Sequence, residues 1–208
     1  MKYRVLMGAL AFLSIGSLKA QEQEQSEEKS LYVKGNALFL PVGVFNLGVE
    51  KQISPKYTLQ GDVFISPWKS FAGHELQFYS VSAEGRYYFQ EAFKHWYIGA
   101  NIAFAAYNLQ KWNYWKDGSF TNDAGEVFQK SNLYQKGYSI MLGVTGGYQF
   151  QLSERWNLDL YATIGTSQGF YKGYDKTTGQ RYDGADGLNR SGEIIPYRGG
   201  VMISYKFK

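Results

Sequence analysis

The sequence predicts an all-β fold: an eight-stranded antiparallel up-and-down transmembrane β-barrel preceded by a signal peptide. Three observations predict it. The first is a two-residue beat, clearest over Tyr138 to Leu152. There Tyr138, Ile140, Leu142, Val144, Gly146, Tyr148, Phe150 and Leu152 alternate with Ser139, Met141, Gly143, Thr145, Gly147, Gln149 and Gln151. Successive strand side chains point to opposite faces, so one face of this run is apolar and the other small or polar. It is longer than the ~5–6 residues usual in soluble strands and suits the roughly 9–11 tilted residues that cross a bilayer. The second is composition: 24 Gly, 18 Tyr, 14 Phe and 5 Trp with only 4 Pro and no Cys. That mixture favours strands and turns and excludes disulfides, a cysteine zinc site and a lipoprotein anchor. The third is the opening MKYRVLMGALAFLSIGSLKA. Lys2 and Arg4 precede an apolar core over Val5 to Leu18, and Ala20 suits the residue before a cleavage point.

The chain therefore divides into a signal peptide (1–20), a polar periplasmic lead-in (21–30, QEQEQSEEKS) and a barrel (31–208). The 22 basic and 18 acidic residues nearly balance once Lys2, Arg4 and Lys19 of the leader are set aside. Nothing in that balance points to nucleic acid.

The first strand runs from about Leu31 to Leu40, with Leu31, Val33, Gly35, Ala37 and Phe39 outward and Tyr32, Lys34 and Asn36 inward. Pro41 and Gly43 interrupt it. The second, about Val44 to Ile53, sends Phe45, Leu47 and Val49 out and Asn46, Gly48 and Glu50 in; Ser54-Pro55-Lys56 then turns the chain. The third, Tyr57 to Ser66, has Leu59, Gly61, Val63 and Ile65 outward and Thr58, Gln60 and Asp62 inward, before a loop with Pro67, Trp68, Gly73 and His74. The fourth, Leu76 to Phe89, has Tyr79, Val81, Ala83, Gly85, Tyr87 and Phe89 out and Ser80, Ser82, Glu84 and Arg86 in. Gln90 to His95 turns into the fifth, Trp96 to about Gln110. There Ile98, Ala100, Ile102 and Phe104 face out, and Tyr97, Gly99, Asn101 and Tyr107 face in. A long loop spans about Lys111 to Tyr134. The sixth is Tyr138 to Leu152. Ser153-Glu154-Arg155 leads to the seventh, Trp156 to about Ser167, with Leu158, Leu160, Ala162 and Ile164 out and Asn157, Asp159, Tyr161 and Thr163 in. A second long loop spans about Tyr171 to Ile194. The eighth, Tyr197 to Phe207, has Val201, Ile203, Tyr205 and Phe207 out and Arg198, Gly200 and Ser204 in.

Connections after the second, fourth and sixth strands read short, and those after the third, fifth and seventh longer, as outer-membrane barrels arrange periplasmic turns and external loops. The connection after the first strand is external yet short. Tyr57, Trp96 and Trp156 with Phe89, Phe150 and Phe207 form an aromatic girdle on the short-turn side. Closure follows from chemistry, because an open sheet edge in hydrocarbon leaves backbone groups unpaired. Eight strands enclose an interior that side chains fill.

Lys34, Glu50, Asp62, Glu84, Arg86, Asp159 and Arg198 all fall on the inward phase. A buried ion is costly unless paired, so these residues read as an interlocked lumen network; a proton or ion path is the functional alternative. The two histidines give little chemistry. His95 lies in a short turn. His74 lies in an external loop beside Glu75 and near Ser70, the one place where a base and nucleophile could meet at the outer rim, although local spacing fixes no triad. Asp183, Asp186, Asn189 and Glu193 crowd one loop without the calcium-loop spacing. Trp112, Tyr114 and Trp115 read either as a partner-binding tip or as an interface belt. No catalytic residue, cofactor or metal is assigned.

Several segments carry a resemblance: Asn46-Leu47-Gly48-Val49-Glu50, Glu84-Gly85-Arg86-Tyr87-Tyr88-Phe89, Trp96-Tyr97-Ile98-Gly99-Ala100-Asn101, Tyr107-Asn108-Leu109, Tyr134-Gln135-Lys136-Gly137-Tyr138-Ser139, Gly147-Tyr148 and Arg155-Trp156-Asn157-Leu158-Asp159. Together they resemble an uncharacterised Bacteroidota outer-membrane β-barrel family, domain-of-unknown-function family three-five-seven-five. The resemblance implies a small OmpA-like barrel in a Gram-negative outer membrane, sometimes encoded near fimbrial genes, and carries no activity. The expected role is structural or surface-interaction, with support of fimbria or surface-appendage assembly as one setting. The expected partners are outer-membrane lipid and a surface or fimbrial protein, and the barrel is expected to be a monomer. An outer-leaflet lipid-modifying enzyme built on His74 is the alternative, and a narrow channel a third reading.

Overall fold

The computed structural model describes residues 29–183 and 187–208. The expected signal peptide, residues 21–28 of the lead-in and Asp186 lie outside the described residues. The strands are β1 (Leu31–Asn36), β2 (Phe45–Ser54), β3 (Tyr57–Phe71), β4 (His74–Tyr88), β5 (His95–Leu109), β6 (Ser119–Thr121), β7 (Val127–Gln129), β8 (Leu133–Gln151), β9 (Trp156–Asp175) and β10 (Asn189–Lys206). Eight of them close into one ring in the order β1-β10-β9-β8-β5-β4-β3-β2, and β6 pairs with β7 apart from it. Every pairing is antiparallel. Among the described residues there is no α-helix, only short 3-10 turns.

The two-residue beat is the in/out beat of the ring. On β8, Ile140, Leu142 and Val144 are exposed, while Ser139, Met141 and Thr145 are buried. The same alternation places Leu47, Val49, Ile98, Ile102 and Ile164 outside and Asn46, Glu50, Tyr97, Asn101 and Thr163 inside. The exterior is thus an apolar surface in which Leu142 is 54% and Val144 62% exposed, and the polar groups are enclosed.

The wall is uneven. β8, β9 and β10 span 19, 20 and 18 residues, but β1 only six. Several expected boundaries therefore move. The first strand ends at Asn36 rather than Leu40. There the Asn36 carboxamide accepts from the Val201 N–H at 3.4 Å and donates to the Gly199 carbonyl at 3.3 Å, so a side chain takes over from the ladder, whose last backbone bond is Ala37 N–H to Val201 O at 2.8 Å. Leu40–Val42 is a 3-10 turn containing Pro41, closed by Gly43 at φ 68°. Phe39, expected outward, instead meets inward Phe64 edge-on at 5.5 Å. The expected loop around Pro67 to His74 is a hairpin: β3 continues to Phe71, and Ala72 (φ 50°) and Gly73 (φ 85°) make its two-residue turn. Both central residues at positive φ match the twist of antiparallel strands. Strands six to eight run farther than expected, to Leu133, Asp175 and Asn189, because the ladder continues where apolar and polar side chains are mixed on both faces. A bulge at Tyr197 lets that ring and Arg198 both turn inward.

The turn between β4 and β5 does more than reverse the chain. It folds back under the barrel, so Ala92 and Phe93 are buried. The Ala92 N–H donates to Pro55 O at 2.8 Å and the Phe93 ring meets Tyr32 at 4.3 Å. This floor closes the short-turn end.

Candidate functional site

Above the floor lies the ionic layer. The structure brings together all seven charged residues that the inward phase selects, from six strands: Lys34 on β1, Glu50 on β2, Asp62 on β3, Glu84 and Arg86 on β4, Asp159 on β9, and Arg198 on β10. Arg86 is the hub. Its Nε donates to Glu84 at 2.5 Å, and its Nη1 donates to Glu50 at 3.1 Å and Asp159 at 2.8 Å. Lys34 bridges Glu50 and Asp159, the latter at 2.8 Å. Arg198 joins Glu84, at 2.6 Å, to Asp62. The chain Lys34–(Glu50, Asp159)–Arg86–Glu84–Arg198–Asp62 is continuous, so no charge in it stands alone.

Acids exceed bases by one, and neutral donors meet the excess. Thr58 and Tyr88 hydroxyls donate to Glu50 at 2.5 and 2.8 Å, Tyr97 to Asp159 at 2.8 Å, Thr145 to Glu84 at 2.7 Å, and Ser82 to Asp62 at 2.8 Å. The Gln149 carboxamide, turned oxygen towards Lys34 Nζ at 2.9 Å, donates to the Phe93 carbonyl at 2.8 Å and ties the layer to the floor. The Tyr97 ring also lies over the Arg86 guanidinium at 4.4 Å, a favourable placement for a desolvated cation. Gly147 makes room for Tyr97, because a Cβ there would collide with that ring. The sequence reading missed the Tyr88, Thr145 and Gln149 partners. They stand on the same inward phase, and the signal that finds them is phase alone, since none is charged.

Between this layer and the long-loop end lies a cavity of about 310 Å³. Phe39, Phe64, Phe78, Ala103, Met141 and Tyr197 contribute most of its wall, and Asp62 and Arg198 form its base. Nothing in the periodicity of single strands shows this space, because it depends on which side chains from opposite walls fail to meet.

The long-loop end is capped by aromatics. Tyr182 is buried among Phe128, Leu133, Tyr114 and Phe120, and its hydroxyl lies 3.2 Å from that of Tyr114. Burial, reinforced by the Tyr114 hydroxyl, pushes the Tyr182 phenol well above its ordinary range. The expected tip of Trp112, Tyr114 and Trp115 is therefore divided. Tyr114 packs inward on Tyr182, with ring centroids 6.0 Å apart. Trp115 stacks on His74 at 4.3 Å and donates to the Gln110 carbonyl at 3.1 Å. Trp112 is the most exposed of the three, at 78% against 49% for Trp115.

His74 Nδ1 lies 3.2 Å from Gln110 Oε1, so both its ring face and that nitrogen are engaged. Among the described residues its hydrogen-bond partner is Gln110 rather than Ser70 or Glu75. In the acidic loop, Asp183 pairs with Arg181 at 2.9 Å and accepts from Asn189 at 2.7 Å, and Glu193 pairs with Lys111 at 2.8 Å. Those oxygens point at cations and amides of the protein itself.

A family model described as a protein of unknown function (DUF3575) matches residues 9–207. The chain belongs to that family. The DUF3575 match runs through every strand of the ring, and the family is uncharacterised, so it assigns no role to the ionic layer or the cavity. No curated protein matches this DUF3575 chain.

Proposed function

We propose that this DUF3575 protein is a small outer-membrane β-barrel, exported through a cleaved signal peptide, with a side-chain-filled base and a structural or surface-interaction role. The observation that carries this reading is the inversion of polarity. Ile98, Ile102, Leu142, Val144 and Ile164 are exposed around the ring, while Lys34, Glu50, Glu84, Arg86 and Asp159 are enclosed. In water such a surface is a far larger apolar patch than soluble monomers tolerate; in lipid it is the favourable arrangement. Closure of the ring answers the requirement that backbone groups in hydrocarbon be paired within the protein.

Trp96, Trp156, Tyr57, Phe89 and Phe150 lie exposed towards the short-turn end, where amphipathic rings suit the headgroup level. With that end periplasmic, the β5–β8 and β9–β10 connections are external. The floor and the ionic layer block the lumen, which disfavours conduction. Exposed Trp112 is the anchor the external surface offers to a surface or appendage protein, since buried aromatics dominate interface energetics. Carbonate extraction of cell envelopes tests the membrane assignment, with retention in the pellet expected and release into the wash contradicting it. A photo-crosslinking residue at Trp112 tests the partner role, with one discrete adduct expected and labelling no greater than at Lys116 counting against it.

A further inference from the structure

The ring is hydrogen-bonded throughout its lower half but not on one side of its upper half. β1 pairs with β10 only as far as Asn36 and Met202, and β2 pairs with β3 only as far as Phe45 and Ile65. Above these points β10 is paired with β9 alone and β3 with β4 alone. Residues 37–44, ALFLPVGV, fill the space between them.

This gap is built into the chain. Pro196 borders it on β10, Pro67 borders it on β3, and Pro41 lies in the segment across it, so three of the four prolines surround it. Proline has no N–H to leave unpaired at such an edge. The segment satisfies its own backbone, with Val42 and Val44 N–H donating to the Phe39 carbonyl and Gly43 N–H to Leu40. It is apolar on both sides: Leu38, Leu40 and Val42 are exposed outward, while Phe39 packs on Phe64 inside. At its start the Ala37 N–H donates to Val201 O at 2.8 Å and the Leu38 N–H to the Asn36 carboxamide at 3.2 Å; farther along, the Trp68 indole donates to Val42 O at 3.0 Å.

Behind the segment lies the 310 Å³ cavity, to whose wall Leu38 and Phe39 contribute directly. An apolar cavity of about 150 Å³ accommodates benzene, so this one has room for a two-ring or short alkyl body. We propose that the cavity is a binding site for a small uncharged apolar molecule that enters from the lipid phase through the gap. This rests on the membrane reading above. The ligand is uncharged because the base of the cavity has no charge to offer: both terminal nitrogens of Arg198 are already held, by Glu84 and Asp62. It enters sideways because the way from above passes a mixed collar, in which the Lys111–Glu193 ion pair at 2.8 Å, Gln135, Ser139 and Ser191 stand among Tyr107, Leu109 and Ile195, whereas the segment is apolar on both sides. An apolar molecule crosses the apolar segment more easily than that collar.

The two methionines outside the leader make a reporter pair, Met141 in the cavity wall and Met202 buried against the floor. The test is a naphthalene titration of full-length protein in lipid nanodiscs, followed by carbon-13 methyl resonances of methionine. The expected result is a saturable shift of Met141 with Met202 unmoved, abolished in Ala103→Phe, which fills the cavity. Parallel or unsaturable shifts of both methyls, or an unchanged response in Ala103→Phe, would overturn the site. Ser80→Leu, also in the cavity wall, replaces Ala103→Phe if that variant fails to give a heat-modifiable gel band. For the route, Trp68→Ala should speed naphthalene exchange several-fold and Lys111→Ala should not; the reverse would overturn entry from lipid. Carbonate extraction of the same protein separates the two claims, since release there removes the membrane reading while a saturable Met141 shift still stands for the cavity.

Discussion

Replacing Arg86 by Met is the most informative change to the ionic layer. Arg86 touches three carboxylates, Glu50, Glu84 and Asp159. Methionine keeps much of the stem and removes the charge, so the layer goes from one excess acid to two. Lys34 is then left to serve Glu50 and Asp159, and Glu84 retains Arg198. Removing one member of a buried pair costs about 3–5 kcal/mol because the partner stays buried and uncompensated. With three acids affected, the upper end of that range is expected, a large share of the ~5–15 kcal/mol that holds most folded proteins together. Glu84→Gln is the contrast. It lowers the excess to zero, leaves Arg86 with Glu50 and Asp159 and Arg198 with Asp62, and keeps an oxygen for the Thr145 hydroxyl. A loss nearer ~1–2 kcal/mol is expected, the scale of one charged hydrogen bond. Glu84→Ala strands no base, because Arg86 keeps Glu50 and Asp159 and Arg198 keeps Asp62, so it falls below the ~3–5 kcal/mol of breaking an isolated buried pair. The assay is urea unfolding in lipid vesicles, read by tryptophan fluorescence and the heat-modifiable gel band. The reasoning fails if Arg86→Met leaves the midpoint unchanged, or if Glu84→Gln is the more damaging of the two.

Adjacent glycines on opposite faces give a test of phase. A Cβ at Gly146 meets nothing, whereas one at Gly147 strikes the Tyr97 ring. Gly146→Ala should stay within ~0.5 kcal/mol of the parent, and Gly147→Ala should lose about 1–3 kcal/mol, both by urea midpoint. Phe93→Ala should cost about 3–5 kcal/mol through loss of its packing on Tyr32 and Tyr88, and amide exchange should quicken at the short-turn end first. Tyr182→Ala should loosen the cap without touching the ionic layer. Protease sites between Lys111 and Ser131 should then open while the heat-modifiable band keeps its midpoint.

The parts of this fold that could be read from sequence are those governed by phase. One apolar face per strand gave the inward and outward sets and the seven charged lumen residues, because an apolar exterior and a polar interior impose opposite chemistry on neighbouring positions. The reading weakened where that contrast vanishes. Beyond Phe170, Tyr171, Lys172, Gly173 and Tyr174 are mixed on both faces, so the ladder to Asp175 left no hydrophobic beat. It failed where structure depends on contacts across the barrel. The floor made by Ala92 and Phe93, the burial of Tyr182, and the inward turn of Phe39 are set by partners far away in sequence. The gap beside β1 had a local trace, in Pro41 and the shortness of that connection, but its meaning required knowing that Pro67 and Pro196 face the same opening.

The most direct test is a nitroxide scan along β8 in lipid vesicles, with single cysteines from Ser139 to Thr145 labelled in turn. Collision with oxygen should rise and fall every second residue, high at Ile140, Leu142 and Val144, with water-soluble nickel chelate excluded from those three. Ready access of the chelate to Leu142, or collision rates with no alternation along the strand, would contradict a wall that stands between lipid and an enclosed polar interior.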